Sequence, residues 1–170
     1  MIPDAYSLPT ASLTESTASG PTAEPQLAGF PYARALLAAI RRPFAASSEP
    51  ELARWAHRLG VLYDQCDDGP LSREARREVD KVICEVNQWV TRHVGRGIGG
   101  ATMAPVSLGE VLARLARAEK KRADAKLPES LARSVWRRLA QQVQAYEDLV
   151  RGLEAGTFDL PDYLPEIDWS

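Results

Sequence analysis

Large apolar residues return at intervals of three and four along four stretches of this chain, and nowhere do they alternate with polar ones. Leu52, Trp55, Leu59, Leu62, Tyr63 and Cys66 form one stripe, and Val79, Val82, Ile83, Val86, Val90 and Val94 a second. Leu108, Val111, Leu112 and Leu115 form a third, and Leu131, Val135, Leu139, Val143, Tyr146, Val150 and Leu153 a fourth. That spacing matches the period of about 3.6 residues of an α-helix rather than the two-residue period of a strand. Each stripe must be covered by another, so the expected fold is all-α: a helical bundle of four main helices. A short N-terminal helix over 33–42 precedes them and is stopped by Pro43, which lacks an amide donor.

The helix boundaries can be read from capping chemistry. Ser48-Glu49-Pro50-Glu51 and Ser107-Leu108-Gly109-Glu110 have the form of capping boxes, in which the serine accepts from the amide three residues on and the glutamate reaches back. Ser72 can cap the helix that ends at Gly95. Pro128 suits the first position of the last helix, which closes at Gly156. The run EKKRADAK after the fourth stripe's predecessor, residues 119–126, reads as a solvated face.

At 170 residues and 45% hydrophobic the chain has apolar material for one core. Residues 1–30 are rich in Pro, Ser, Thr and Gly and are expected to be a disordered leader. Residues 31–156 would be the bundle domain, and 157–170 an extended acidic tail packed on it, with Tyr163 and Trp169 as anchors. Charge is unevenly distributed. Only Asp4, Glu15 and Glu24 precede Arg34, and only Glu154, Asp159, Asp162, Glu166 and Asp168 follow Arg151, so a chain of net charge −2 has a basic body between acidic ends. The expectation is that the acidic tail covers that body. Its arginines look scattered over helical faces, which argues against nucleic acid as a partner. No run approaches the ~20 apolar residues of a membrane span, and Met1–Gly20 lacks the pattern of a secretory signal, so no membrane contact and a cytoplasmic location are expected. Cys66 and Cys84 have no disulfide or zinc spacing and read as small buried thiols.

The residues able to carry chemistry are few. Gly95–Gly100, GRGIGG, follows a helix rather than a strand, so it reads as a helix stop and a mobile lid rather than a phosphate cradle. His93 falls on the stripe of Val86 and Val90, where it can act as a general acid or base or simply cap carbonyls. His57 falls off the apolar face of its helix and should be exposed. Asn87 borders the inner stripe, and the hydroxyl of Tyr146, with Asp148 nearby, needs a partner for which Asn87 and His93 are candidates. Trp55, Tyr63, Trp89 and Trp136 could line a site for a flat apolar molecule or could simply fill the core. Two histidines without an acidic partner make no metal site, and there is no cofactor fingerprint, so any chemistry would be cofactor-free.

Residues 75–165 resemble the actinobacterial members of domain-of-unknown-function family 4254. The resemblance rests on Trp89, Val90 and His93; Ser107, Leu108 and Gly109; Arg114 and Leu115; Tyr146, Glu147, Asp148 and Leu149; and Leu160 and Pro161. It implies an all-helical fold and an actinobacterial source, and supplies no reaction. Where the family pattern has acids, this chain has Asn87, Val106 and Ala113, which implies a more apolar groove.

Two functions follow as expectations. The first is a cofactor-independent bundle that binds an apolar or aromatic metabolite and acts in natural-product tailoring as a cyclase, isomerase or dehydratase. His93, Tyr146 and Asn87 would be catalytic, and Trp89, Trp55, Tyr63 and Asp148 would bind substrate. The second is a non-enzymatic helical interaction or dimerisation protein, marked by an exposed apolar patch and no internal cavity. A homodimer is compatible with both.

Overall fold

The computed structural model describes residues 29–42, 49–66, 69–94, 99–123 and 128–161. The leader up to residue 28, the capping serine Ser48, Gly95–Ile98 of the expected lid, and the anchors Tyr163 and Trp169 lie outside the described residues. Among the described residues five helices carry the fold: α1 (Ala33–Arg41), α2 (Glu51–Asp64), α3 (Arg73–His93), α4 (Leu108–Ala123) and α5 (Glu129–Glu154). Two short strands, β1 (Thr102–Met103) and β2 (Phe158–Asp159), pair in parallel, Thr102 opposite Phe158 and Met103 opposite Asp159. They are too short to show any alternation, which is why the sequence holds no trace of them.

Local chemistry sets the helix ends. The Ser72 hydroxyl accepts from the Ala75 amide at 3.1 Å. In the box at α4, Glu110 N–H donates to Ser107 Oγ at 3.3 Å, and Ser107 N–H donates to Glu110 Oε2 at 3.1 Å. Helix α2 starts after Pro50, which offers no side-chain cap, and Glu49 pairs instead with Arg42. Pro128 stands one position outside α5, as its cap residue. At the other end Gly156, with φ of 65°, lets its own amide reach Leu153 O and the Thr157 amide reach Gly152 O, which terminates α5.

Helix α4 is the centre of the molecule, packing against α1, α2, α3 and α5, whereas α3 and α5 make no contact with each other. Its burial is correspondingly broad: Leu108, Val111, Leu112, Leu115 and also Ala113, Ala116 and Ala118 are buried. The small residues let neighbours come close. A Cβ at Gly109 would fall 2.5 Å from Ile83 O of α3, and one at Gly60 of α2 would fall 2.5 Å from Ile40 O of α1. The stretch expected to be solvated holds the most buried charge. Glu119 is 1% exposed, and its carboxylate accepts from Arg41 Nε of α1 at 2.5 Å and from Arg122 at 2.6–3.0 Å. Burial pushes its pKa up, but the hydrogen bonds from Arg122 and Arg41 outweigh that and hold it below the usual carboxylate range.

Phe30, at the junction of leader and bundle, is buried and packs edge-on against Trp89 at 5.9 Å. Beyond α5, Phe158 and Leu160 pack on the core.

Candidate functional site

The end of α3 was expected to turn His93 inward. Instead His93 is exposed: the close approach of α4 to α3 is at Ile83 and Asn87, about two to three turns earlier. Its Nδ1 lies 2.8 Å from Trp89 O, so in the neutral ring that nitrogen is the donor, and the ring stacks on Trp89 at 4.5 Å and 24°. Trp89 in turn meets Trp55 edge-on at 6.1 Å. Trp55 Nε1 donates to Glu85 Oε2 at 3.0 Å, and Glu85 also pairs with Arg58 at 3.2 Å. Phe30, Trp55 and Trp89 therefore close one another into a wall, within which the Trp89 indole N–H has no partner. His57 is half-buried rather than exposed: its Nδ1 lies 3.2 Å from Ala39 O near the C-terminus of α1, where a ring N–H adds a second donor to a carbonyl that already accepts from the Arg42 amide.

The other expected catalytic groups point elsewhere. Asn87 is buried between α3 and α4, and its Oδ1 accepts from the Gly109 amide at 2.9 Å; a side chain of one helix thus satisfies a first-turn donor of the next. Its Nδ2 is left without a partner. Tyr146 is 1% exposed and donates to Pro31 O at 2.7 Å, so it fastens α5 to the segment entering α1 and touches neither Asn87 nor His93. Burial pushes its hydroxyl pKa well up, leaving it a firm donor rather than a base. Asp148 is exposed and accepts from Arg151 and Gln144, at 2.9 and 2.8 Å. The positions where the resemblance has acids are partly structural here, since Ala113 is core. Cys66 and Cys84 are half-buried rather than buried.

The concave surface lies on the outer face of α4. A groove of about 360 Å³ runs between α4 and α5, lined by Arg114, Arg117, Ala118, Lys121, Arg138 and Gln142. It continues past Ser134 and Val135 into a second hollow of about 210 Å³. Next to the groove, and sharing Arg117 and Lys121 with it, a hollow of about 310 Å³ lies between α4 and the turn before α3, where Tyr63 sits with Leu71, Arg76 and Lys120. Of the expected site residues, Tyr63 lines one of these three hollows; burial raises its hydroxyl pKa, partly offset by nearby Arg117. Lys120 pairs with Asp64 at 2.9 Å, but Arg114, Arg117, Lys121 and Arg138 form no ion pair with a carboxylate among the described residues. These cations are therefore gathered and not scattered. The sequence signal was their spacing on α4, at i, i+3 and i+7, while Arg138 joins only through tertiary packing.

The first half of α5 displays two large apolar side chains. Leu131, expected on the inner stripe, and Trp136, expected to line a site or fill the core, are 51% and 55% exposed. Helix α5 has 26 residues and α4 has 16, so α5 is longer than its partner by about 15 Å at 1.5 Å per residue. The Arg122 guanidinium lies over the Trp136 ring at 5.1 Å. Among the described residues no group of His, Cys, Asp or Glu could hold a metal ion, and no helix is long and apolar enough to cross a membrane. No family model, curated protein or solved structure matches this chain.

Proposed function

We propose that this protein is a non-enzymatic interaction module that docks a partner protein on the outer face of α4 and the first half of α5. The observation that carries the reading is the exposure of Leu131 and Trp136 on the first half of α5, the same half whose Ser134, Val135 and Arg138 line an open hollow. Large apolar side chains displayed together next to a concavity are the usual raw material of an interface core. Docking is favoured over catalysis because the expected catalytic groups each serve a different neighbour: His93 its own helix, Asn87 the start of α4, Tyr146 the entry to α1. Helices α3 and α5, which would have to share a substrate between them, do not touch.

A photo-crosslinking residue placed at Trp136 tests this in cells of the source organism, with the same residue at exposed Arg77 of α3 as control. The expected result is one protein captured from position 136 only, whose binding to the purified chain is lost in the Trp136→Ala variant. Equal capture from both positions would sink the reading. So would native mass spectrometry that finds a small metabolite bound to the purified chain and released by His93→Ala.

A further inference from the structure

We propose that the α4–α5 groove is a binding site for an acidic peptide segment in which carboxylates are interspersed with aliphatic side chains. The inference rests on the docking reading above and names the chemistry of its partner. Arg114, Arg117 and Lys121 lie on one face of α4, spanning about 10 Å along the axis at 1.5 Å per residue. Arg138 faces them from α5, and Gln142 adds an amide beside it. None of the four cations is matched by a carboxylate among the described residues. Four like charges converging on one concavity repel one another, and an anionic occupant relieves that repulsion while its approach is steered by the field.

The same surface selects among anions. Between the cations the groove carries aliphatic surface: Ala118 and Val135 line it, and exposed Leu131 stands one helical turn before Val135 on α5. Carboxylates spaced three or four residues apart on a peptide helix meet cations with that same spacing, and the aliphatic residues between them meet the floor. A nucleic acid strand would find the cations but no free stacking platform. The Trp136 ring that could stack a base is already covered by Arg122, and the chain as a whole carries a net charge of −2.

Fluorescence anisotropy on the full chain provides the test, with a labelled peptide of repeated Glu-Glu-Leu triplets, its Gln-Gln-Leu counterpart, and an oligothymidylate as probes. The Glu peptide should bind, the Gln peptide at least ~10-fold more weakly, and added salt should weaken the Glu peptide's binding. The Arg114→Glu/Lys121→Glu variant should lose at least ~10-fold in affinity, while Arg133→Glu/Arg151→Glu, an equal charge change at cations outside the groove, should lose less than ~3-fold. Circular dichroism confirms that both variants fold. Equal losses in the two variants, or an oligothymidylate that binds more tightly than the Glu peptide, overturn the proposal. If the groove variant still crosslinks its partner from position 136, the docking reading stands and the acidic-segment inference falls. If the peptide binds through the groove while position 136 captures nothing, the docking reading is the one that fails.

Discussion

Replacing Glu119 with Gln keeps the shape of the side chain and removes the charge on which Arg41 and Arg122 converge. Removing one partner of a buried ion pair costs about 3–5 kcal/mol when the other is left stranded in the interior. Here the arginine side chains are 48% and 22% exposed, against 1% for the glutamate, so both can turn back to water. The amide can also still accept one hydrogen bond. The loss should therefore be about 2–3 kcal/mol, a large part of the 5–15 kcal/mol typical of a domain and roughly 10 °C in Tm. The pH dependence makes the reasoning specific. The folded-state pKa of Glu119 lies below its unfolded value, so the stabilisation is complete above the ordinary glutamate range and is lost as pH falls through the folded value. Urea unfolding of both proteins at pH 7 and at successively lower pH should show the difference shrinking on the acid side of that range. A difference that stays constant with pH, or a variant as stable as the parent at pH 7, would refute the assignment of this carboxylate as the electrostatic link between α1 and α4.

Gly109→Ala should destabilise by more than about 2 kcal/mol in denaturant unfolding, because the new Cβ would meet the Ile83 backbone oxygen, which cannot yield as a side chain would. Tyr146→Phe should cost about 1–2 kcal/mol by leaving the Pro31 carbonyl without its donor, and should loosen the chain before α1 to limited proteolysis. Asn87→Ala should lose about 1 kcal/mol and Asn87→Ser less, as for a helix cap supplied from outside, with amide exchange at Gly109 rising in step. Glu154→Gln should stabilise by about 0.5 kcal/mol at pH 7, since a carboxylate pushed up by burial and facing a helix C-terminus is unfavourable when charged; thermal melts should show the gain fading as pH is lowered through its raised pKa.

Much of the helix inventory could be read from the sequence, because stripes and caps are local. Ser72, Ser107 with Glu110, and Gly156 act within four or five residues of chain, and the structure places them as their chemistry requires. Which stripe meets which is not local. Periodicity gives each helix a face but no partner, so α3 and α5 were paired although α4 lies between them. A readable clue was the alanine content of α4: Ala113, Ala116 and Ala118 widen its buried face beyond the leucine stripe, as a helix covered on several sides needs. Leu131 failed for a different reason. It keeps the register of its helix, but α5 is longer than the helix that would cover it, and only the comparison of the two lengths shows it. The expected site residues were placed by face alone, and the structure joins His93, Trp89 and Trp55 but sets Asn87 and Tyr146 apart from them. Asn87 did point inward, toward a helix start, and the groove cations were visible only as separate charges until α5 brought Arg138 to α4.

The two-residue parallel pairing of β1 with β2 has a kinetic consequence. It ties the chain just before α4 to the chain just after α5, so those two helices form a loop whose ends are held by backbone hydrogen bonds from Thr102 to Thr157 and from Ala104 to Asp159. Strand pairing this short has no stability of its own and persists only while both helices stay docked. The amides of Thr102 and Ala104 should therefore exchange with solvent at the rate at which the last turn of α5 opens, despite their position more than forty residues earlier in the chain. In hydrogen-exchange data they would serve as a reporter for the opening of the α4–α5 hairpin as one unit.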